Sequence, residues 1–173
     1  MGGDDSYLAK LAERGDLERV ERGVYRLAGA PVLGAETMRT VSSRTPHAVV
    51  CLLSALAFHD IGTQSPNALW IAVAGKKWRP RFQGIRLEVV YKSAPQIGHG
   101  VQQHDIDGVK VKVTSPAQTV ADCFKFRSRI GLDVAIEALR DTVRSRKATM
   151  DDIYEAAVRE RMWNVMRPYT EML

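Results

Sequence analysis

The chain has 173 residues, with 45% hydrophobic and 26% charged side chains, proportions that suit one medium globular domain or a small module attached to one. No apolar run approaches the ~20 residues a membrane helix needs, and the acidic start Met1-Gly2-Gly3-Asp4-Asp5 lacks a signal-peptide apolar region, so a cytoplasmic protein without a membrane partner is expected. The net charge of +5 favours an anionic partner without naming it.

The charge is unevenly placed. Residues 1–30 carry five basic and six acidic side chains, whereas residues 75–92 carry six basic and one acidic, and residues 109–147 nine basic and four acidic. The basicity therefore belongs to the middle and late chain. Two cysteines, Cys51 and Cys123, both lie in apolar patterns. They predict buried thiols, since a disulfide framework or a metal site needs more cysteines or different spacing.

In chain order, residues 6–14 predict a short helix. Ser6 can cap it, and Leu8, Leu11 and Ala12 fall on one face. Gly15 suits the position after its end. Residues 17–20 and 24–27 predict two short strands joined by Glu21-Arg22-Gly23, with Gly23 free to take the positive φ of a tight turn. Helix then two-stranded wing is the second half of a winged helix-turn-helix. Residues 29–34, with Pro31, predict a linker.

Helices are expected over 35–44 and, after Pro46, over about 48–59, followed by a loop at 62–67. Residues 69–74 predict a buried strand, 75–84 a basic loop, 85–91 a second strand and 95–107 a polar loop. Val109, Val111 and Val113 alternate with lysines and predict a half-buried strand. Thr114 or Ser115 then caps a helix with Pro116 in its first turn. Helices follow over 116–126, 131–145, 150–161 and 163–171, and Thr149 and Asp152 are spaced for a capping box.

Several chemistries are testable by spacing. A recognition helix reads bases through its exposed side chains while a wing holds phosphates. The candidates are Ser6, Tyr7, Lys10 and Arg14 on the helix and Arg19, Arg22 and Arg26 on the wing. The loop Lys76-Lys77-Trp78-Arg79-Pro80-Arg81-Phe82 interleaves cations with aromatics. That mixture suits nucleic acid, with arginine on phosphate and a ring on a base. It equally suits an acidic protein surface, or a solvated loop whose Trp78 and Phe82 fold onto the core.

Catalysis is not expected. Glu88 and Lys92 are four apart, which fails the spacing of a restriction-type nuclease, and Asp105 and Asp107 lack a third carboxylate. His47, His59, His99 and His104 do not pair at metal-ligand spacing, and no nucleophile elbow or glycine-rich phosphate loop is present. No cofactor is implied. Arg127, Arg129, Arg140, Arg144, Arg146 and Lys147 cluster near helix ends, where cations offset the helix dipole and extend the basic surface.

Three segments resemble the AbiEi family of antitoxins, the regulator half of a type IV toxin–antitoxin pair. Gly15-Asp16-Leu17-Glu18-Arg19-Val20-Glu21-Arg22-Gly23-Val24-Tyr25-Arg26 is similar to the wing of its N-terminal winged helix. Ser54-Ala55-Leu56-Ala57-Phe58-His59-Asp60-Ile61-Gly62-Thr63 resembles the opening helix of its C-terminal domain. The run from Thr114 to Arg140, containing Ser115-Pro116-Ala117-Gln118-Thr119-Val120-Ala121-Asp122-Cys123-Phe124, resembles its later helices and is the most specific of the three.

The resemblance implies a non-enzymatic regulator that represses its own operon by binding inverted repeats of operator DNA. It also implies a C-terminal domain that counteracts a nucleotidyltransferase toxin. By position, Ser6, Tyr7 and Lys10 would face the groove, and Arg14, Arg19, Arg22 and Arg26 would touch phosphate. A full winged helix has two helices before its recognition helix, and only five residues precede Ser6, so a truncated module is expected. The expected architecture is α/β of the α+β kind. A partial winged helix over residues 1–30 precedes an antitoxin domain over 35–173, in which a small sheet is packed with several helices.

Overall fold

Residues 69–73 form an unbroken apolar run, Leu-Trp-Ile-Ala-Val. Successive side chains of a strand point to opposite faces, so such a run requires both faces of its sheet to be covered. The computed structural model, which describes residues 17–21, 24–27, 34–76 and 78–173 together with Lys10 and Arg14, meets that requirement. Leu69, Ile71 and Val73 pack on one face with Met38, Val41, Val50, Val111 and Val113. Trp70 and Ala72 pack on the other with Val49, Val90, Val120, Phe124, Ala135 and Leu139.

The sheet has five strands: β3 (Val49–Val50), β4 (Leu69–Ala74), β5 (Leu87–Lys92), β6 (Val101–Ile106) and β7 (Val109–Thr114). They stand in the order β5-β4-β3-β7-β6. The pairs β4/β5 and β3/β7 are parallel, while β3/β4 and β6/β7 are antiparallel. Seven helices are described: α1 (Ala35–Arg44), α2 (Leu52–Phe58), α3 (Pro116–Lys125), α4 (Arg127–Ile130), α5 (Leu132–Arg144), α6 (Met150–Arg159) and α7 (Trp163–Thr170). Helix α1 covers one face through Met38 and Val41, and α3, α5, α6 and α7 build the other. This is an α+β fold around a mixed sheet.

Helix α3 lies at the centre, with every residue from Ala117 to Phe124 buried. Ser115 starts it, its side chain accepting from the Gln118 amide at 3.2 Å, and Pro116 occupies the first turn, where a missing N–H leaves nothing unpaired. Helix α6 opens with a complete capping box between Thr149 and Asp152.

Two expectations are corrected. The helix expected over 48–59 is split: Val49–Val50 is a strand, and the helix starts only at Leu52. Pairing decides this, because Val49 and Val50 fill the gap between β4 and β7, opposite Ala72 and Ile71 and beside Val113. The chain then turns sharply, with buried Leu52 at φ +47°, a strained value for a branched side chain. The polar loop expected over 95–107 contains β6, which pairs with β7 through a turn at Asp107 (φ +50°) and Gly108 (φ +84°). Gln102, Gln103 and Asp105 are exposed on this edge strand, so no apolar alternation marks it.

A separate two-stranded sheet joins β1 (Leu17–Glu21) to β2 (Val24–Leu27). Leu17 lies opposite Leu27, Glu18 opposite Arg26 and Arg19 opposite Tyr25, with a register shift between Arg19 and Glu21. The two strands of the expected wing are therefore present. Its turn at Arg22 and Gly23, most of the helix expected over 6–14, Gly15 and the linker at 29–33 lie outside the described residues.

Candidate nucleic-acid interface

The basic loop owes its position to topology. Strands β4 and β5 are parallel neighbours, and parallel neighbours need a crossover of about a dozen residues. Residues 75–86 are that crossover, so they must run back along the sheet rather than turn at its end. Phe82 and Ile85 pack on the α1-side cluster and form an isolated bridge with each other. The cations between β4 and Phe82 face outward: Lys76, Arg79 and Arg81 are exposed. Lys77 lies outside the described residues.

The two aromatics of this loop behave differently. Phe82 turns inward, with the Arg44 guanidinium 5.8 Å from its ring centre. Trp78 stays 38% exposed and meets the His47 ring edge-on at 6.5 Å between centres. The Tyr91 hydroxyl donates to the Trp78 carbonyl at 3.4 Å, tying the loop to β5. Between loop and strand lies an open cleft of about 540 Å³, lined by Arg79, Arg81, Phe82, Leu87, Tyr91 and Arg129 among others. Arg129 reaches it from α4, donating to the Val89 carbonyl at 3.0 Å and pairing with Glu88 at 2.9 Å. The single carboxylate beside the cleft is thereby neutralised.

Of the wing and recognition-helix candidates, Ser6, Tyr7 and Arg22 lie outside the described residues. Lys10 and Arg14 are exposed, and the Arg14 amide donates to the Lys10 carbonyl at 3.2 Å, the i to i−4 bond of a helical turn. Arg19 stands in β1 and Arg26 in β2.

Lys92 leaves the surface. It ends β5, is buried, and donates to both carboxylate oxygens of Asp122 on α3 at 2.7 and 2.8 Å. The network continues inward. Gln118 donates to Asp122 at 3.0 Å and to Glu160 at 2.9 Å, and its carbonyl accepts from Arg159 at 2.9 Å. Lys125 pairs with Glu160 at 2.7 Å, and His99 approaches it at 3.3 Å. Burial pushes the Asp122 carboxyl above its ordinary value, against the pull of Lys92. Burial also works to raise Glu160, but the Lys125 hydrogen bond, the Lys92 charge and Gln118 hold it below the usual range.

Spacing tests by motif missed this network. Its available signal is Gln118 and Asp122, four apart on one helix face within a mostly apolar run, where each polar group must find a partner. The network joins β5, α3 and the end of α6, and its buried polar groups pair with one another, which is the chemistry of cohesion. Cys51 and Cys123 are both fully buried, and burial raises both thiols. Among the described residues no group of three His, Cys, Asp or Glu side chains could hold a metal ion. No helix among them is long and apolar enough to cross a membrane.

A family model described as "Transcriptional regulator, AbiEi antitoxin" matches residues 1–28. The match takes in β1 and β2 and all seven recognition-helix and wing candidates, and so the first of the three segments that resemble that family. The segments at 54–63 and 114–140 lie beyond it. No curated protein matches the chain.

Proposed function

We propose that the chain is an antitoxin and transcriptional autorepressor of the AbiEi kind, acting by binding and not by catalysis. Residues 1–30 are read as the part that recognises inverted repeats of operator DNA, and residues 35–173 as the domain that counteracts a nucleotidyltransferase toxin. The observation that carries this reading is the family match at residues 1–28, which coincides with an antiparallel two-strand ribbon of the kind a wing requires. Ser6, Tyr7 and Lys10 are assigned to the groove, and Arg14, Arg19, Arg22 and Arg26 to phosphate.

The test is a titration of the chain against the DNA upstream of its own gene at several salt concentrations. Each neutralised phosphate contributes about 0.9 to the slope of log affinity against log salt. Four arginines on phosphate therefore predict a slope near −3.6, by that arithmetic, for each bound copy. Arg19→Ala/Arg26→Ala should flatten it by about 1.8. Absence of retardation at low salt removes the repressor assignment.

A second reading, a toxin-neutralising interaction module that does not touch DNA, is favoured by the charge of residues 1–30, where acids outnumber bases by six to five. That reading requires rescue from the toxin together with no operator binding at any salt.

A further inference from the structure

The cleft between the crossover loop and the β5 edge has a chemistry that operator binding by residues 1–30 leaves unused. Arg79 and Arg81 are exposed on its rim, and neither has an ion-pair partner among the described residues. Glu88, the one acid lining the cleft, is occupied by Arg129. The exposed Trp78 ring is held by His47 at its edge, and its backbone is tied to Tyr91. Leu87, Val89 and Tyr91, at alternate positions of β5, are half-buried along its floor.

We propose that this cleft, together with the Trp78 ring beside it, is a binding site for single-stranded nucleic acid, with Arg79 and Arg81 on successive phosphates and Trp78 stacked on a base. Three features select that ligand. Unpaired guanidiniums on a rim cleared of free carboxylates complement a polyanion. A half-exposed indole gains from an unstacked base, which a duplex keeps inside its own stack. The surface is also a concave groove along a sheet edge, a shape that tracks a single strand, and it presents no helix to enter a major groove. The Trp78 backbone is already tied to Tyr91 and its ring already meets His47 edge-on, which lowers the ordering that association must supply.

The test uses the full chain. Oligo(U) and oligo(dU) of about twelve nucleotides, a length within the range of single-strand sites, are titrated while tryptophan fluorescence is followed. Both are expected to quench it, and the tighter of the two identifies the preferred sugar. Trp78→Ala should remove most of the quenching and weaken binding about tenfold, the size of one stacking contact. Arg79→Gln/Arg81→Gln should flatten the salt slope by about 1.4, two single-strand phosphates' worth. The arginine changes lie on the surface and should not move the thermal midpoint, and unchanged far-UV circular dichroism checks that Trp78→Ala keeps the fold.

Failure of both oligonucleotides to bind at about 50 mM salt, where phosphate contacts are strong, overturns the proposal. So does binding that survives both variants unchanged. Displacement of the oligonucleotide by polyglutamate at equal charge concentration would assign the cleft to an acidic protein instead, and would also overturn it. The site is independent of the operator reading. Arg19→Ala/Arg26→Ala should weaken operator retardation and leave oligonucleotide quenching intact, whereas Trp78→Ala should do the reverse.

Discussion

At the scale of single residues, Lys92 shows how a side chain's role depends on its partner. By sequence it belongs to the most basic stretch of the chain, yet it is buried against Asp122 and adds nothing to the surface potential. Breaking a buried pair on one side strands the other charge, at a cost of about 3–5 kcal/mol, while replacing both members by apolar groups is often close to neutral. Urea midpoints should therefore show Lys92→Met strongly destabilised and Lys92→Met/Asp122→Leu less destabilised than the single variant; simple additivity would sink this account. His59 supplies a pH test. Burial holds its pKa below the ordinary 6.5, although its Nε2 bonds the Thr114 carbonyl at 2.7 Å. The unfolded chain takes up a proton near pH 6.5 that the folded chain refuses. Stability is thus complete above that pH and falls as the pH drops toward the folded value. Comparing urea midpoints at pH 7.5 and 5.5, wild type should lose more stability than His59→Gln, which keeps a donor without the charge change.

At the scale of elements, two glycines separate backbone strain from crowding. Gly108 has φ +84° and open space where a Cβ would stand, so Gly108→Ala should cost only the strain of the β6–β7 turn, about 1 kcal/mol. Gly100 has φ +59°, and its added Cβ would come within 2.5 Å of the Gln118 Cβ on the central helix. Gly100→Ala should lower the thermal midpoint well beyond Gly108→Ala, because α3 is buried on all sides and cannot retreat. Ser115→Ala should cost about 1 kcal/mol by leaving the Gln118 amide uncapped. Equal midpoints for the two glycine variants would mean that the Gln118 approach is slack.

At the scale of the whole molecule, the mixed sheet with both faces covered explains where charge can go. Phe82 and Ile85 of the crossover fold onto the sheet, and Trp78, Arg79 and Arg81 are left exposed. Under the proposed function, operator contacts and toxin control lie in different parts of the chain. Co-expression with the nucleotidyltransferase toxin that this reading requires should then show Arg19→Ala/Arg26→Ala still restoring growth while weakening operator retardation. Loss of both activities together would tie them to one surface.

Local chemistry along the chain is enough to specify several elements. Ser115-Pro116 and Thr149 with Asp152 set helix starts, the apolar run at 69–73 set a strand buried on both faces, and alternating valines at 109–113 set another. The cations of the crossover loop were legible as a candidate site for the same reason, since their spacing to Trp78 is local. What depended on distant partners was not legible. Val49–Val50 reads as helix until β4 and β7 offer their backbones on either side. Strand β6 carries polar residues because its edge is solvated, and only the Asp107-Gly108 pair, a turn signal of known type, hinted at its hairpin. Lys92 and Asp122 are thirty residues apart, and nothing short of the packing of β5 on α3 could pair them. Local sequence fixes caps, periods and turns; the tertiary structure alone decides which backbone groups and which charges must satisfy one another away from water.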